Sequence, residues 1–242
     1  HHFFFVPTNN STKKRKKEIF ESRVKSTELL FKTISELKNK PLSFISASAI
    51  GIYGAITSDH IFTEEDRPAN DFLGEVCNRW EQSSLKFETL GIRTVIIRTS
   101  LVISEDAQMY KKLSFLTKNY LGAVLGNGKQ YIPWVHLDDL CRFYSAALRK
   151  NSYSGFYNVC SPQHITNKEF TKTLAKTLKR PILFLPVPKF IIKFLLGEMS
   201  VVILEGSRIS SQKSINVGFT YTHIHMINIL NQIQQTDLSI KS

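Results

Sequence analysis

Apolar residues recur along this chain with two spacings, one typical of helices and one typical of buried strands. Over residues 16–38 the spacing is close to the helical period and Pro41 follows, which predicts a long amphipathic helix. Residues 42–45 and the β-branched run 94–98 are short and apolar, as expected of buried strands. A second helix is predicted between them, over residues 71–90. Helices that alternate with buried strands predict an α/β fold with a parallel sheet.

The rest of the chain continues this alternation in shorter segments. Helices are predicted over residues 110–120, 138–148 and 167–178, and strands over residues 156–159 and 183–188. Thr166 is placed to cap the last of these helices at its N-terminus. The tail is predicted to be mostly helical.

Composition narrows the class of protein. With 42% apolar residues, the 242-residue chain can bury a core, but no apolar run reaches the roughly 18 residues of a membrane span, so we expect no membrane partner. Three cysteines, far apart and without CxxC spacing, argue against a disulfide framework and a zinc site. We therefore expect no metal and a reducing intracellular compartment such as the cytoplasm.

The net charge of +12 raises the question of nucleic-acid binding, most sharply at the basic run over residues 13–17. The other basic residues are scattered, and no aromatic residues are interleaved with them. We therefore interpret the run as the solvated start of a helix, and we expect no nucleic-acid partner.

Small and hydroxyl-bearing residues follow the first predicted strand. Ser46, Ser48 and Tyr53 would lie in a loop at the carboxyl end of a parallel sheet, which is the edge where open α/β sheets bind ligands. The equally weighted alternative is a turn in which the serines bond to their own backbone.

Three further groups carry weaker hypotheses. His136, just before a helix start, could act as a base, but a structural hydrogen bond or cap is favoured. The acidic turn over residues 64–66 could hold a ribose or a metal, but a solvated loop is favoured. Glu18 and Arg23, five residues apart on the first helix, form no ideal ion pair with each other, and their spacing alone favours surface charge.

A set of motifs, in order along residues 15–235, gives the chain a family resemblance. They are SRVKSTELL (22–30), SASAIGIYG (46–54), DFLGEVCNRWE (71–81), IRTSLVIS (97–104), LGNGKQYIPWVHLDDL (125–140), FYNVCSP (156–162), LPVPKF (185–190), LLGEM (195–199) and GFTYTHI (218–224). The chain resembles the epimerase-family branch of the extended short-chain dehydrogenases/reductases, the group that contains family 39U member 1.

The resemblance implies a Rossmann-type parallel sheet that lacks its first βαβ units. Residues 1–120 would form the truncated NAD(P)-binding part, and residues 121–242 a smaller, interleaved substrate-binding portion. The family's glycine-rich phosphate-binding turn lies upstream of the first helix, but this sequence has no glycine before Gly51. The implied cofactor is NADP(H), with NAD(H) as the alternative.

The resemblance also implies roles for particular residues. Glu18, Arg23, Ser46 and Val102 match cofactor-contacting positions. Ser48 is the candidate catalytic serine, and Gly51 matches an insertion relative to ordinary epimerases. Tyr53 is the phenol nearest to it. The family's YxxxK dyad is replaced by Leu73 and Cys77. The implied function is an NADP(H)-binding, epimerase-like oxidoreductase of unknown substrate, inactive as this fragment; the alternative is a non-catalytic nucleotide-binding scaffold or regulator.

Overall fold

The central sheet has three parallel strands in a computed structural model that describes residues 13–183, 185–197 and 200–239. Numbered along the chain, these strands are β1 (Ser43–Ala49), β3 (Arg93–Thr99) and β6 (Gly155–Val159), in the spatial order β1-β3-β6. Ala47 lies opposite Ile97, which lies opposite Tyr157. The predicted parallel sheet is confirmed. No described strand pairs with the other edge of β1.

Helices cover both faces of this sheet. The first helix, α1 (Lys13–Ser35), packs on α2 (Phe72–Leu85), which packs on β1. The opposite face is covered by α4 (Leu137–Arg149), where Val95, Ile97 and Phe143 share an apolar core. Because successive side chains of a strand point to opposite faces, Arg98 faces α2.

A second apolar core is built mainly from the second half of the chain. Its largest buried side chains are Trp134, Tyr110 and Phe170. The elements that contribute to it are β4 (Leu101–Ile103), which pairs in parallel with β5 (Trp134–His136), and the helices α3 (Gln108–Lys118), α5 (Asn167–Thr177) and α9 (Met226–Ser239). The division at residue 120 stays a prediction, and β6 from the second portion completes the sheet of the first.

The remaining elements connect these parts. The short strands β2 (Ile61–Phe62) and β7 (Arg208–Ile209) pair in parallel, and three short helices precede or follow β7: α6 (Lys189–Leu196), α7 (Ser200–Leu204) and α8 (Gln212–Asn216). None of the helices in the described ranges is both long and apolar enough to cross a membrane.

Local predictions from the sequence have mixed outcomes. Thr166 caps α5 as predicted, in a capping box with Glu169. The helix predicted over residues 71–90 ends at Leu85 and continues as a 3₁₀ turn to Leu90.

The strand predicted over residues 183–188 is wrong for the described residues of that segment. Val187 makes a single isolated bridge to Leu125, and Phe184 lies outside the described residues. Pro186 and Pro188 lack the N–H groups that a strand ladder needs.

Candidate functional site

A buried ion pair joins α2 to the carboxyl end of β3. Arg98 and Glu81 are 4% and 2% exposed. Arg98 Nε donates to Glu81 Oε1 at 2.9 Å, and Arg98 Nη2 donates to Glu81 Oε2 at 2.8 Å. Burial acts to lower the pKa of Arg98, but the hydrogen bonds and charge of Glu81 outweigh it and raise that pKa. Arg98 is therefore charged, and its two parallel bonds to Glu81 fix the orientation of both side chains.

Tyr53 is connected to this ion pair through its hydroxyl. The hydroxyl accepts a hydrogen bond from Arg98 Nη1 at 3.0 Å and donates one to Asn158 Oδ1 at 2.7 Å. Burial raises the pKa of Tyr53 well above its ordinary value, although the charge of Arg98 opposes this shift. The side chain is thus a neutral phenol near pH 7, and an isolated catalytic phenolate is disfavoured here.

Glu64 enters the same group of residues from the acidic turn. Its Oε1 accepts from the backbone N–H of Asn158 at 2.6 Å, and its backbone carbonyl accepts from Arg98 Nη1 at 3.3 Å. Burial raises its pKa, against the effect of the Asn158 bond. The favoured solvated loop is therefore wrong for Glu64, because the turn directs this carboxylate toward the sheet. Asp66 instead accepts hydrogen bonds from Thr63 within the turn.

The predicted serine loop is the end of a strand. Ser46 and Ser48 lie within β1, which stays paired with β3 as far as Ala49. Both side chains face α2: Ser46 Oγ accepts from Ser84 at 2.8 Å, and Ser48 Oγ donates to Glu81 Oε1 at 2.6 Å. The prediction of a loop here is wrong, because the hydrogen-bonded pairing of β1 with β3 continues through these residues. Their small side chains let α2 pack closely on the strand.

The other predicted cofactor residues lie on two different elements. Glu18 is exposed on α1, while Arg23 is half-buried and its guanidinium lies 5.5 Å from the ring centre of Trp80 on α2. Val102 lies on β4 opposite Val135 and packs against the core under α4. The structure thus brings Ser48 and Tyr53 into one hydrogen-bonded network, and their assigned roles stay predictions, as do those of Glu18, Arg23, Ser46 and Val102.

The two positions that match the missing dyad face a 3₁₀ turn. A Cβ added at Gly51, in the turn Ile50–Tyr53, would lie 3.5 Å from Cys77 Sγ and 3.6 Å from Leu73 Cβ. Burial raises the pKa of the Cys77 thiol to about 12, so it is neutral near pH 7. This face of α2 therefore serves as a packing surface. Neither Leu73 nor Cys77 can replace the ionising tyrosine or lysine of the dyad.

His136 has the structural role that its position favoured. Its Nδ1 accepts from the backbone N–H of Asp138 at 3.2 Å and so caps α4. Its ring stacks on His223 with centroids 3.9 Å apart and planes inclined by 21°. Burial and the neighbouring His223 lower the pKa of His136. Ring nitrogens of His136 and His223 and a carboxylate oxygen of Asp138 lie within 4.8 Å of one another. A metal ion bound by a histidine lies in the plane of its ring. Because the two rings are stacked, no single ion can lie in both ring planes, and the geometry does not favour a metal site.

Three residues of the network were not identified from the sequence: Glu81, Arg98 and Asn158. Arg98 is an arginine inside a run of β-branched residues, and a charged residue in a buried strand requires a partner. This charged residue in an otherwise apolar strand is the sequence signal that could have identified Arg98. Nothing local marks Asn158, whose Nδ2 is buried without a described hydrogen-bond partner.

Comparisons with known proteins agree with this architecture. The sequence model of the NAD dependent epimerase/dehydratase family matches residues 2–160, and a domain of unknown function, DUF1731, matches residues 187–233. Epimerase family protein YfhF of Bacillus subtilis is 35% identical over 224 residues, which are 92% of this chain and 73% of that protein. The chloroplastic SDR39U1 homolog of Arabidopsis thaliana is 33% identical over 222 residues, which are 91% of this chain and 63% of that protein.

Solved structures show the same fold. Human epimerase family protein SDR39U1 (isoform 2), solved with NADPH, superposes with a TM-score of 0.84 at 23% identity, covering 94% of this chain and 77% of that one. UDP-glucose 4-epimerase of Thermotoga maritima superposes with a TM-score of 0.73 at 15% identity, covering 95% and 73%. The predicted Rossmann-like fold is confirmed. By the match over residues 2–160 and the identity to YfhF, this chain belongs to the NAD-dependent epimerase/dehydratase family.

Proposed function

We propose that this protein binds NADPH at the carboxyl edge of its parallel sheet and acts as an epimerase-like oxidoreductase whose substrate is still to be identified. The observation that carries the proposal is the fold likeness to human SDR39U1, which was solved with NADPH. Family membership supports a nicotinamide cofactor, and the carboxyl edge is where open α/β sheets bind such ligands.

Arg23 is the residue of this chain best suited to contact the cofactor. Its guanidinium is held against Trp80, and its Nη1 donates to the carbonyl of Ile19 at 3.1 Å. A guanidinium suits this role because its planar array of N–H donors matches the oxygens of a phosphate. Glu18, one and a half turns earlier, and Val102 on β4 complete the proposed contacts. Ser46 would act through the backbone, because its hydroxyl is already bonded to Ser84.

Phosphate binding needs more than these residues. This sequence has no glycine before Gly51, so it supplies no glycine-rich turn ahead of α1. Titration by NADPH fluorescence should therefore compare the 242-residue chain with a version extended by the upstream genomic sequence. We expect binding by the extended version alone. If neither version binds NADPH, the cofactor proposal is wrong.

Matched variants of the extended version test the role of Arg23. Arg23→Gln should weaken NADPH binding about tenfold, the effect of losing a hydrogen bond to a charged group. Lys25→Gln removes one charge from the same helix at an exposed position and should leave the affinity unchanged. Equal losses in both variants would indicate a general electrostatic effect and would exclude a specific contact.

Two observations favour a second candidate, a non-catalytic nucleotide-binding scaffold. Leu73 and Cys77 replace the proton-exchanging dyad, and burial raises the pKa of Tyr53. Oxidation of NADPH with a panel of carbonyl compounds and sugar nucleotides separates the two candidates. Turnover that is lost in Ser48→Ala and Tyr53→Phe, with NADPH affinity retained, supports the enzyme. Cofactor binding without any turnover supports the scaffold.

A further inference from the structure

Helix α6 is an amphipathic helix whose apolar side is exposed. Phe190 and Phe194 are 71% and 89% exposed, and Leu195 is 67% exposed. Among the described side chains of α6, Ile192 alone is buried. Exposed apolar surface of this density marks an interaction site, because water solvates it poorly.

Aromatic, basic and buried side chains lie on different sides of α6. Positions four apart share a helix face, so the two phenylalanines project together, roughly opposite Ile192. Lys189 and Lys193, also four apart, lie between the phenylalanine side and the buried side. This arrangement, with protruding rings and lysines along one flank, is that of a helix lying in a membrane–water interface.

The neighbouring helix extends the apolar surface. In α7, Val201, Val202 and Ile203 are 38%, 48% and 39% exposed. Neither α6 nor α7 contains an acidic residue. Glu205, just beyond α7, lies 3.4 Å from Lys189 and neutralises it in part, whereas no described acidic group pairs with Lys193. The described side chains of α6 and α7 thus form an apolar surface with lysines along one flank, and Glu198, between the two helices in the sequence, lies outside the described residues.

Charge decides between the possible occupants of this surface. With a net charge of +12, a second copy of the chain would bring like charges together at the lysine flank. An anionic lipid surface is attracted by the same charge. Side chains exposed by 71% and 89% protrude from the protein, which suits insertion between lipid headgroups better than lining a concave pocket.

We propose that the α6–α7 surface binds peripherally to anionic membranes, with Phe190 and Phe194 inserted at the headgroup level and Lys193 facing the lipid phosphates. Such contact needs no helix that crosses the bilayer. It revises the sequence expectation of no membrane partner, which rested on the lack of a long apolar run and so concerned spanning alone.

Co-sedimentation with vesicles tests this proposal on the 242-residue chain. Vesicles of phosphatidylcholine are compared with vesicles of phosphatidylcholine and phosphatidylserine. We expect binding to the anionic vesicles, reduced at least about tenfold by the double variant Phe190→Ser/Phe194→Ser. The control Leu29→Ser/Leu148→Ser removes two exposed leucines on α1 and α4 and should bind normally.

A charge-reversal pair tests the lysine flank. Lys193→Glu should weaken binding to anionic vesicles roughly fivefold or more, while Lys150→Glu, an equal change in net charge at the exposed end of α4, should have a small effect. Failure to sediment with either vesicle overturns the proposal. Binding that survives the phenylalanine double variant also overturns it. A dimer in light scattering that dissociates in this variant, without vesicle binding, identifies a second copy as the occupant instead.

Discussion

Replacing Glu81 by glutamine should lower the free energy of unfolding by about 3–5 kcal/mol, because it leaves the charge of Arg98 buried without a counter-charge. Glutamine keeps the size of the side chain, so the effect reports charge and hydrogen bonding, with little contribution from a cavity. Glu81 is 2% exposed and accepts from both Arg98 and Ser48. Since native domains are stable by about 5–15 kcal/mol, the loss is a large share of the total.

Urea unfolding followed by the fluorescence of Trp80 and Trp134 measures this change. An unchanged m-value, the slope of the free energy of unfolding against urea concentration, indicates that the variant still unfolds in a two-state transition. Glu21→Gln is the matched control: Glu21 pairs with Lys25 at 2.7 Å on the surface of α1, and its loss should not be measurable.

A double variant completes the test. Glu81→Gln/Arg98→Met removes both charges of the pair, so it should lose clearly less stability than the sum of the two single variants. A loss below about 1 kcal/mol in Glu81→Gln, or additive losses in the double variant, would refute the assignment of a buried, mutually dependent ion pair.

Three further predictions follow from the same structure. Tyr53→Phe should cost about 1–3 kcal/mol in urea unfolding, because the hydroxyl has two buried partners. Stability should fall as pH drops below about 6.5. Burial and the adjacent ring of His223 lower the pKa of His136, so the unfolded state takes up the proton at a higher pH than the folded state does. In unfolding curves measured across this pH range, His136→Gln should show a weaker dependence of stability on pH. Gly74→Ala should cost about 1–3 kcal/mol or more in thermal unfolding, because its Cβ would lie 2.2 Å from the carbonyl oxygen of Ala69.

Each of these predictions has a control. Tyr120→Phe changes a tyrosine that is 55% exposed and should have no measurable effect on unfolding. His225→Gln alters an exposed histidine and should keep the wild-type pH dependence. Gly51→Ala places its Cβ at ordinary contact distances and should cost less than about 1 kcal/mol. Equal effects in a variant and its control would contradict the reasoning for that site.

The sequence by itself determined the class of fold and the family. Periodicity located α1 and β3 within a few residues, and the cap at Thr166 was readable because its partner Glu169 is three residues away. These features depend on neighbours along the chain. The motifs identified the family because their order and spacing are visible in the sequence itself and require no information about tertiary contacts.

Only the tertiary structure decided which polar groups meet. Glu81 and Arg98 are 17 residues apart, and Glu64 bonds to the backbone of Asn158 across 94 residues. Such contacts depend on strand register and on how closely a helix packs over the sheet, which no local pattern encodes. A shift of one residue in β1 would turn Ser48 away from α2, because successive side chains alternate between the faces of a sheet. The buried network at the candidate site is therefore a product of packing, while the elements that carry it are a product of the sequence pattern.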